Sequence, residues 1–269
     1  MLDLAIIDAL FCIPKDVRTT QLSDCKRFSE DLTPQLNGGG MVGAVIAPCL
    51  CRQCQNQWNC ADRKTQEVTE TVRRNPNQLR GLGSYDALRI GDSLRWIDEG
   101  VTTGTLAGAY AQADYCVSGL DSRRMYPLYG LCAKLRAPIV MDFNTRECWQ
   151  HHRPQVEVIA ADFPDLKIVL ATPPRTEAGS ILRLLQRFPH AAFLLNPKDL
   201  QADAALCEYM ELQGCDRVMF RAHPLSWESA AETAMGMPLG EEAKRAYVGG
   251  NAAKLFGFAA LANSLQNAG

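Results

Sequence analysis

No stretch of this sequence is basic enough to track a nucleic acid. Its 28 lysines and arginines are spread along the chain against 30 acidic residues, for a formal net charge of -2, so the positive stripe that phosphate binding relies on is missing. No apolar run is long enough to span a bilayer, and nothing in the composition suggests a fibre or a disordered tail. Residues 1–13 are not expected to act as a signal peptide: they are apolar but carry Asp3 and Asp8, have no basic flank and end in no small-residue cleavage site. They read as a first buried strand, and the expectation is a cytoplasmic protein. Eleven cysteines, an odd number, argue against a disulfide framework in a reducing compartment and leave free thiols, metal ligands or packing as their roles. What is present is length enough, at 269 residues, to bury a large core.

Short apolar, β-branched runs alternate with amphipathic segments from end to end. Strands are expected at residues 4–11, 41–48, 81–85, 105–110, 138–143, 167–172, 192–195 and 217–222, which are eight in all. Between them, residues 154–163 predict a helix with Pro154 in its first turn, and residues 177–188 predict another, with Ile181, Leu182, Leu184, Leu185 and Phe188 on one broad stripe. Eight such units fit a closed (β/α)8 barrel, a single domain over residues 1–269, better than an open doubly wound sheet. Glycines 38–40 and 249–250 read as a loop before the second strand and a helix-terminal turn; neither has the spacing of a phosphate-binding loop.

The segments FPDLKIVLA (163–171), GCDRVMFRAHP (214–224) and GGNAAKLFGF (249–258) resemble, in order and spacing, the late motifs of the amidohydrolase-2 family of metal-dependent barrel hydrolases and decarboxylases. IIDA at 6–9 and PLYGLCAKLRAPIVMDF at 127–143 extend the likeness over nearly the whole chain. The resemblance implies a barrel with a divalent metal, usually zinc, at the strand ends. The family's ligands are a His-x-His after the first strand, histidines after the fifth and often the sixth, and an aspartate after the eighth. The matching positions here are Leu10, Cys12, Asp142, Thr172 and His223, and the chain has only four histidines to draw on. The usual ligand set is absent.

Cys12, Asp142 and His223 can nevertheless all bind metal, and three ligands with an open position suffice for a catalytic zinc. The same trio offers a metal-free chemistry, with Cys12 as nucleophile, His223 as base and Asp142 orienting the imidazole. A third alternative is a barrel that has lost catalysis and binds a small ligand or a protein partner. After the second strand comes CLCRQCQNQWNC, whose Cys49, Cys51, Cys54 and Cys60 could form a separate zinc site, carry reactive thiols, or be incidental.

The loop NTRECWQHHRP (144–154) brings Arg146, Cys148, His151 and His152 to the face where barrel enzymes keep their active sites, or is simply a solvated lead into a helix. Arg146 there, Arg175 at the entrance of the helix after the sixth strand, and Arg221 within the eighth strand, where it could point into the pocket, are candidate binders of a small anionic ligand. Nucleic acid and membrane are not expected partners, and a homodimer is the expected assembly.

Overall fold

Eight short strands, β1 Ile6–Cys12, β2 Met41–Ala47, β3 Leu79–Ser84, β4 Leu106–Gln112, β5 Ile139–Asp142, β6 Ile168–Ala171, β7 Ala191–Leu195 and β8 Val218–Phe220, carry the architecture. They form one parallel sheet in chain order. The computed structural model describes residues 5–12, 36, 41–48, 60–116, 119–173, 176–223 and 225–258. Parallel neighbours need a crossover between them, and helices supply it: α1 Cys60–Arg74, α2 Ile90–Thr102, α3 Tyr126–Leu135, α4 Arg146–Asp162 and α5 Ala178–Arg187. The short α6 Pro197–Gln201 and α7 Ala204–Tyr209 follow β7, and α8 Trp227–Met235, α9 Glu241–Arg245 and α10 Asn251–Phe256 complete the ring. The fold is a (β/α)8 barrel.

Side-chain alternation separates two cores. Val45, Leu82, Tyr110, Val140, Val169, Leu194 and Met219 fill the barrel interior, which Phe256 and Phe258 close from below. Their neighbours along the same strands, among them Ile46, Met141, Leu170, Phe193 and Phe220, pack outward against the helices. Both faces of each strand are buried, which is why the strands read as continuous apolar runs rather than alternating ones.

Among the described residues the strand ladder runs from β1 to β8 without a β8–β1 pairing. Asp8 fastens that seam. The Leu10 backbone N–H donates to its Oδ1 at 3.1 Å, and the Ala222 N–H just past β8 donates to the same carboxyl. An extra residue in β2 between Met41 and Gly43 sets Asp8 opposite Ala44, on the side of the outer core, and an extra residue in β1 between Asp8 and Phe11 shifts the register again.

Two local expectations are corrected. The helix expected from residue 154 begins at Arg146, with Pro154 inside it. Thr145 caps it, its hydroxyl accepting from the Cys148 N–H at 3.1 Å, and Cys148, Trp149, His152, Val156, Ile159 and Ala160 make one buried face. Gly249–Gly250 do not end a helix; they lie in a π-helical turn, Ala246–Gly250, that runs on into α10. A side chain at Gly249 would sit 2.2 Å from the Ala5 carbonyl oxygen, so only glycine lets this turn press against the start of β1.

Candidate functional site

The C-terminal ends of β4, β5 and β8 bring three polar side chains together inside the barrel. Parity puts Tyr110 and Gln112 of β4 on the inner face, in register with Val140 and Asp142 of β5. Beyond β8, Arg221 follows the inward Met219 by two residues and reaches back across the mouth. The Tyr110 hydroxyl donates to Asp142 Oδ2 at 2.8 Å, and the Arg221 guanidinium approaches Asp142 Oδ1 at 3.3 Å. Asp142 is 2% exposed and Arg221 7%, so one carboxylate is held by a phenol and a cation away from bulk water. In such surroundings the attraction is far stronger than on a surface, and each charge depends on its partner because desolvation is costly.

Asp8 stands behind this group at the seam. Burial pushes its carboxyl up to about 7, against the opposing pull of the Leu10 N–H, the Arg221 charge and the Ala222 N–H. The Tyr247 phenol beside it, buried and donating to the Leu195 carbonyl at 2.9 Å, is pushed far above its usual range by its own burial and then by Asp8. The strand ends thus hold one guanidinium, one carboxylate and a second carboxyl that takes up a proton near neutral pH.

The residues singled out in the sequence fall in several places. Leu10 is buried in the inner core, and Thr172 is buried at the end of β6. His223 is exposed in the turn after β8, and the hydrogen bonds described for Asp142 come from Tyr110 and Arg221. The strand ends at Phe220 and the chain turns there, the Leu225 N–H donating to the Ala222 carbonyl; the inward alternation therefore stops at Arg221. Cys12 ends β1 and Cys60 begins α1, but their side chains, together with Cys49, Cys51, Cys54 and Arg175, lie outside the described residues.

Arg146 is in the first turn of α4 and lines a cleft with α5 rather than the cluster of Tyr110, Asp142 and Arg221. His152 is buried and its Nδ1 lies 2.9 Å from Gln155 Oε1 within the same helix; that oxygen also accepts the Leu120 N–H, so Gln155 ties α4 to the segment before α3 and His152 braces it. Cys148 is buried and its thiol is pushed up by burial and then by Asp114. Burial likewise pushes the thiols of Cys116 and Cys132 up to about 12, which keeps them protonated and poor as nucleophiles or ligands.

Among the described residues no three His, Cys, Asp or Glu side chains converge as a metal site requires. Leu10 offers hydrocarbon and Thr172 a neutral hydroxyl, while Asp142 is already engaged by a cation that belongs to the chain. Among the described residues, these side chains do not by themselves make a three-ligand divalent metal site. Tyr110 is not among the residues that the sequence singles out; its position near the end of a strand, two residues before Gln112, is the available signal. No described helix is long and apolar enough to cross a membrane.

A family model described as amidohydrolase matches residues 28–258. No curated protein sequence matches the chain. Among solved structures, an uncharacterized TIM-barrel protein from Bordetella bronchiseptica superposes with a TM-score of 0.70 at 17% identity, over 96% of this chain and 100% of that one. A 5-carboxyvanillate decarboxylase from Novosphingobium aromaticivorans, complexed with manganese and 4-hydroxy-3-methoxy-5-nitrobenzoic acid, gives 0.71 at 12% identity, over 94% and 96%. A 4-oxalomesaconate hydratase from Rhodopseudomonas palustris gives 0.66 at 13% identity, over 97% and 98%. At these identities the likeness is one of fold.

Proposed function

The chain belongs to the amidohydrolase family, and from that premise we propose that it acts on a small carboxylated or carbonyl-containing molecule at the barrel mouth, in a hydrolase-type reaction. The observation that carries this reading is the buried Arg221–Asp142–Tyr110 group at the strand ends. A planar guanidinium can take a substrate carboxylate or an oxyanion in two parallel hydrogen bonds. Asp142, oriented by Tyr110, is the group beside it able to accept a proton from water or substrate. The aromatic acid bound to the Novosphingobium decarboxylase supports a carboxylated ligand. Cys12 and His223, at the end of β1 and just beyond β8, stay in this proposal as candidate nucleophile and second base.

The test is turnover of a panel of small aromatic and unsaturated carboxylic acids by the purified chain. Arg221→Lys should raise KM more than it lowers kcat, Asp142→Asn should lower kcat, and Cys12→Ser and His223→Ala should each lower turnover if they share the chemistry. Unaltered turnover in both Arg221→Lys and Asp142→Asn sinks the proposal.

A second reading is kept because manganese is bound in the Novosphingobium structure: a divalent metal, zinc by preference for a thiolate-containing set, held by Cys12, Asp142 and His223. It requires Asp142 to exchange Arg221 for the ion. Stoichiometric metal that is lost in Cys12→Ser would establish it, and metal indifferent to that change would point to Cys49, Cys51, Cys54 and Cys60. A catalytically silent barrel that binds its ligand is the remaining alternative, supported by the apolar Leu10 at a ligand position.

A further inference from the structure

A cleft of about 240 Å³ lies between the first turns of α4 and α5, lined by Arg146, Trp149, Gln150 and Arg153 from one helix and by Thr176, Glu177, Ser180 and Arg183 from the other. Arg146 and Arg183 are exposed and Arg153 is half-buried. Further along the same two helices Arg187 is paired with Glu157 at 2.7 Å, whereas none of the three cleft arginines makes an ion pair among the described residues. Three arginines thus line one concavity, with Glu177 as the single carboxylate among the described lining residues.

We propose that this cleft binds a compact dianion of the phosphate-monoester class through Arg146, Arg153 and Arg183. Charge favours that ligand, because three cations against one anion leave the described lining residues two units positive, which a phosphate ester of about two negative charges at neutral pH balances. Geometry favours it as well, because forked donors on several sides suit a tetrahedral oxyanion better than a planar carboxylate. The wall is already fixed: the Ser180 hydroxyl donates to the Glu177 carbonyl at 2.8 Å and receives the Trp149 indole N–H at 3.4 Å. The start of α5 adds first-turn N–H groups with no side-chain cap, which strengthen the pull on an anion. The volume lies below the roughly 300–1,000 Å³ of pockets for drug-sized ligands, so the organic part of the ester is small. Tyr110, Asp142 and Arg221 do not line the cleft, and the proposal stands independently of the chemistry at the barrel mouth.

Calorimetric titration of inorganic phosphate, and separately of succinate, into the full chain tests it. One phosphate per chain is expected, bound more tightly than succinate. The Arg153→Gln, Arg183→Gln double variant should bind phosphate about tenfold or more weakly, since each charge-assisted hydrogen bond removed is worth at least that factor. Lys198→Gln, an exposed cation elsewhere, should bind as the parent does. If the double variant fails to melt cooperatively, Arg146→Gln alone supplies the comparison. The proposal is overturned by no saturable phosphate binding at millimolar concentration, by undiminished affinity in the arginine variants, or by a preference for succinate.

Discussion

Arg221 and Asp142 hold each other in a place where neither charge is stable alone. Replacing Arg221 by leucine leaves a buried carboxylate uncompensated and should destabilise the fold by about 3–5 kcal/mol, while the Asp142→Leu, Arg221→Leu double variant should recover most of that loss. Urea denaturation of the single and double variants measures both. Tyr110→Phe removes one hydrogen bond to a charged acceptor and should cost about 1.5–3 kcal/mol. Asp8 behaves differently, because its folded carboxyl takes up a proton at about 7 against an ordinary 3.8. Between those values the folded chain holds a proton that the unfolded chain has released, so this residue's contribution is full below the lower value and is lost as pH rises towards the upper one. Stability measured from pH 5 to pH 6.5 should fall in the parent relative to Asp8→Asn by roughly 1 kcal/mol per pH unit. Parallel pH profiles for the two proteins would show that Asp8 is not the group responsible. Arg221 was legible from strand alternation in the sequence; the exposure of His223 was not, because it depends on β8 stopping at Phe220.

At the scale of the elements, the strands were readable because Ile, Val and Leu crowd into short runs buried on both faces. The start of α4 was not. Pro154 invites the reading of a first turn, since proline's missing N–H costs nothing there, yet here it lies eight residues into the helix and withholds a donor from the Gln150 carbonyl. The buried spacing of Cys148, Trp149, His152, Val156 and Ile159 carries the helix through it, and the Thr145 cap anchors it. Thr145→Ala should therefore lower stability by about 1 kcal/mol, read as a shift in the denaturation midpoint at unchanged slope. Gly249→Ala is the stricter case, because a Cβ there meets backbone rather than a movable side chain, 2.2 Å from the Ala5 oxygen. A loss of about 1–3 kcal/mol or more is expected, and an unchanged midpoint would mean that β1 and this turn do not press together.

For the molecule as a whole, sequence motifs sufficed to reach the family and its barrel, because late-strand and terminal segments answer to packing demands that every such barrel shares. They did not suffice for the site. Three of the positions that carry metal ligands in the family hold Leu10, Thr172 and an exposed His223 here, and the charge at the centre of the barrel mouth comes from Arg221 instead. The most direct measurement of that claim is a binding isotherm for a small aromatic carboxylate, with the parent chain and Arg221→Lys compared in the presence and absence of a strong chelator. Saturable binding that survives the chelator and weakens about tenfold or more in Arg221→Lys is the predicted result, since the bidentate fork does not survive replacement by an ammonium. Binding that is indifferent to the substitution and abolished by the chelator would contradict it.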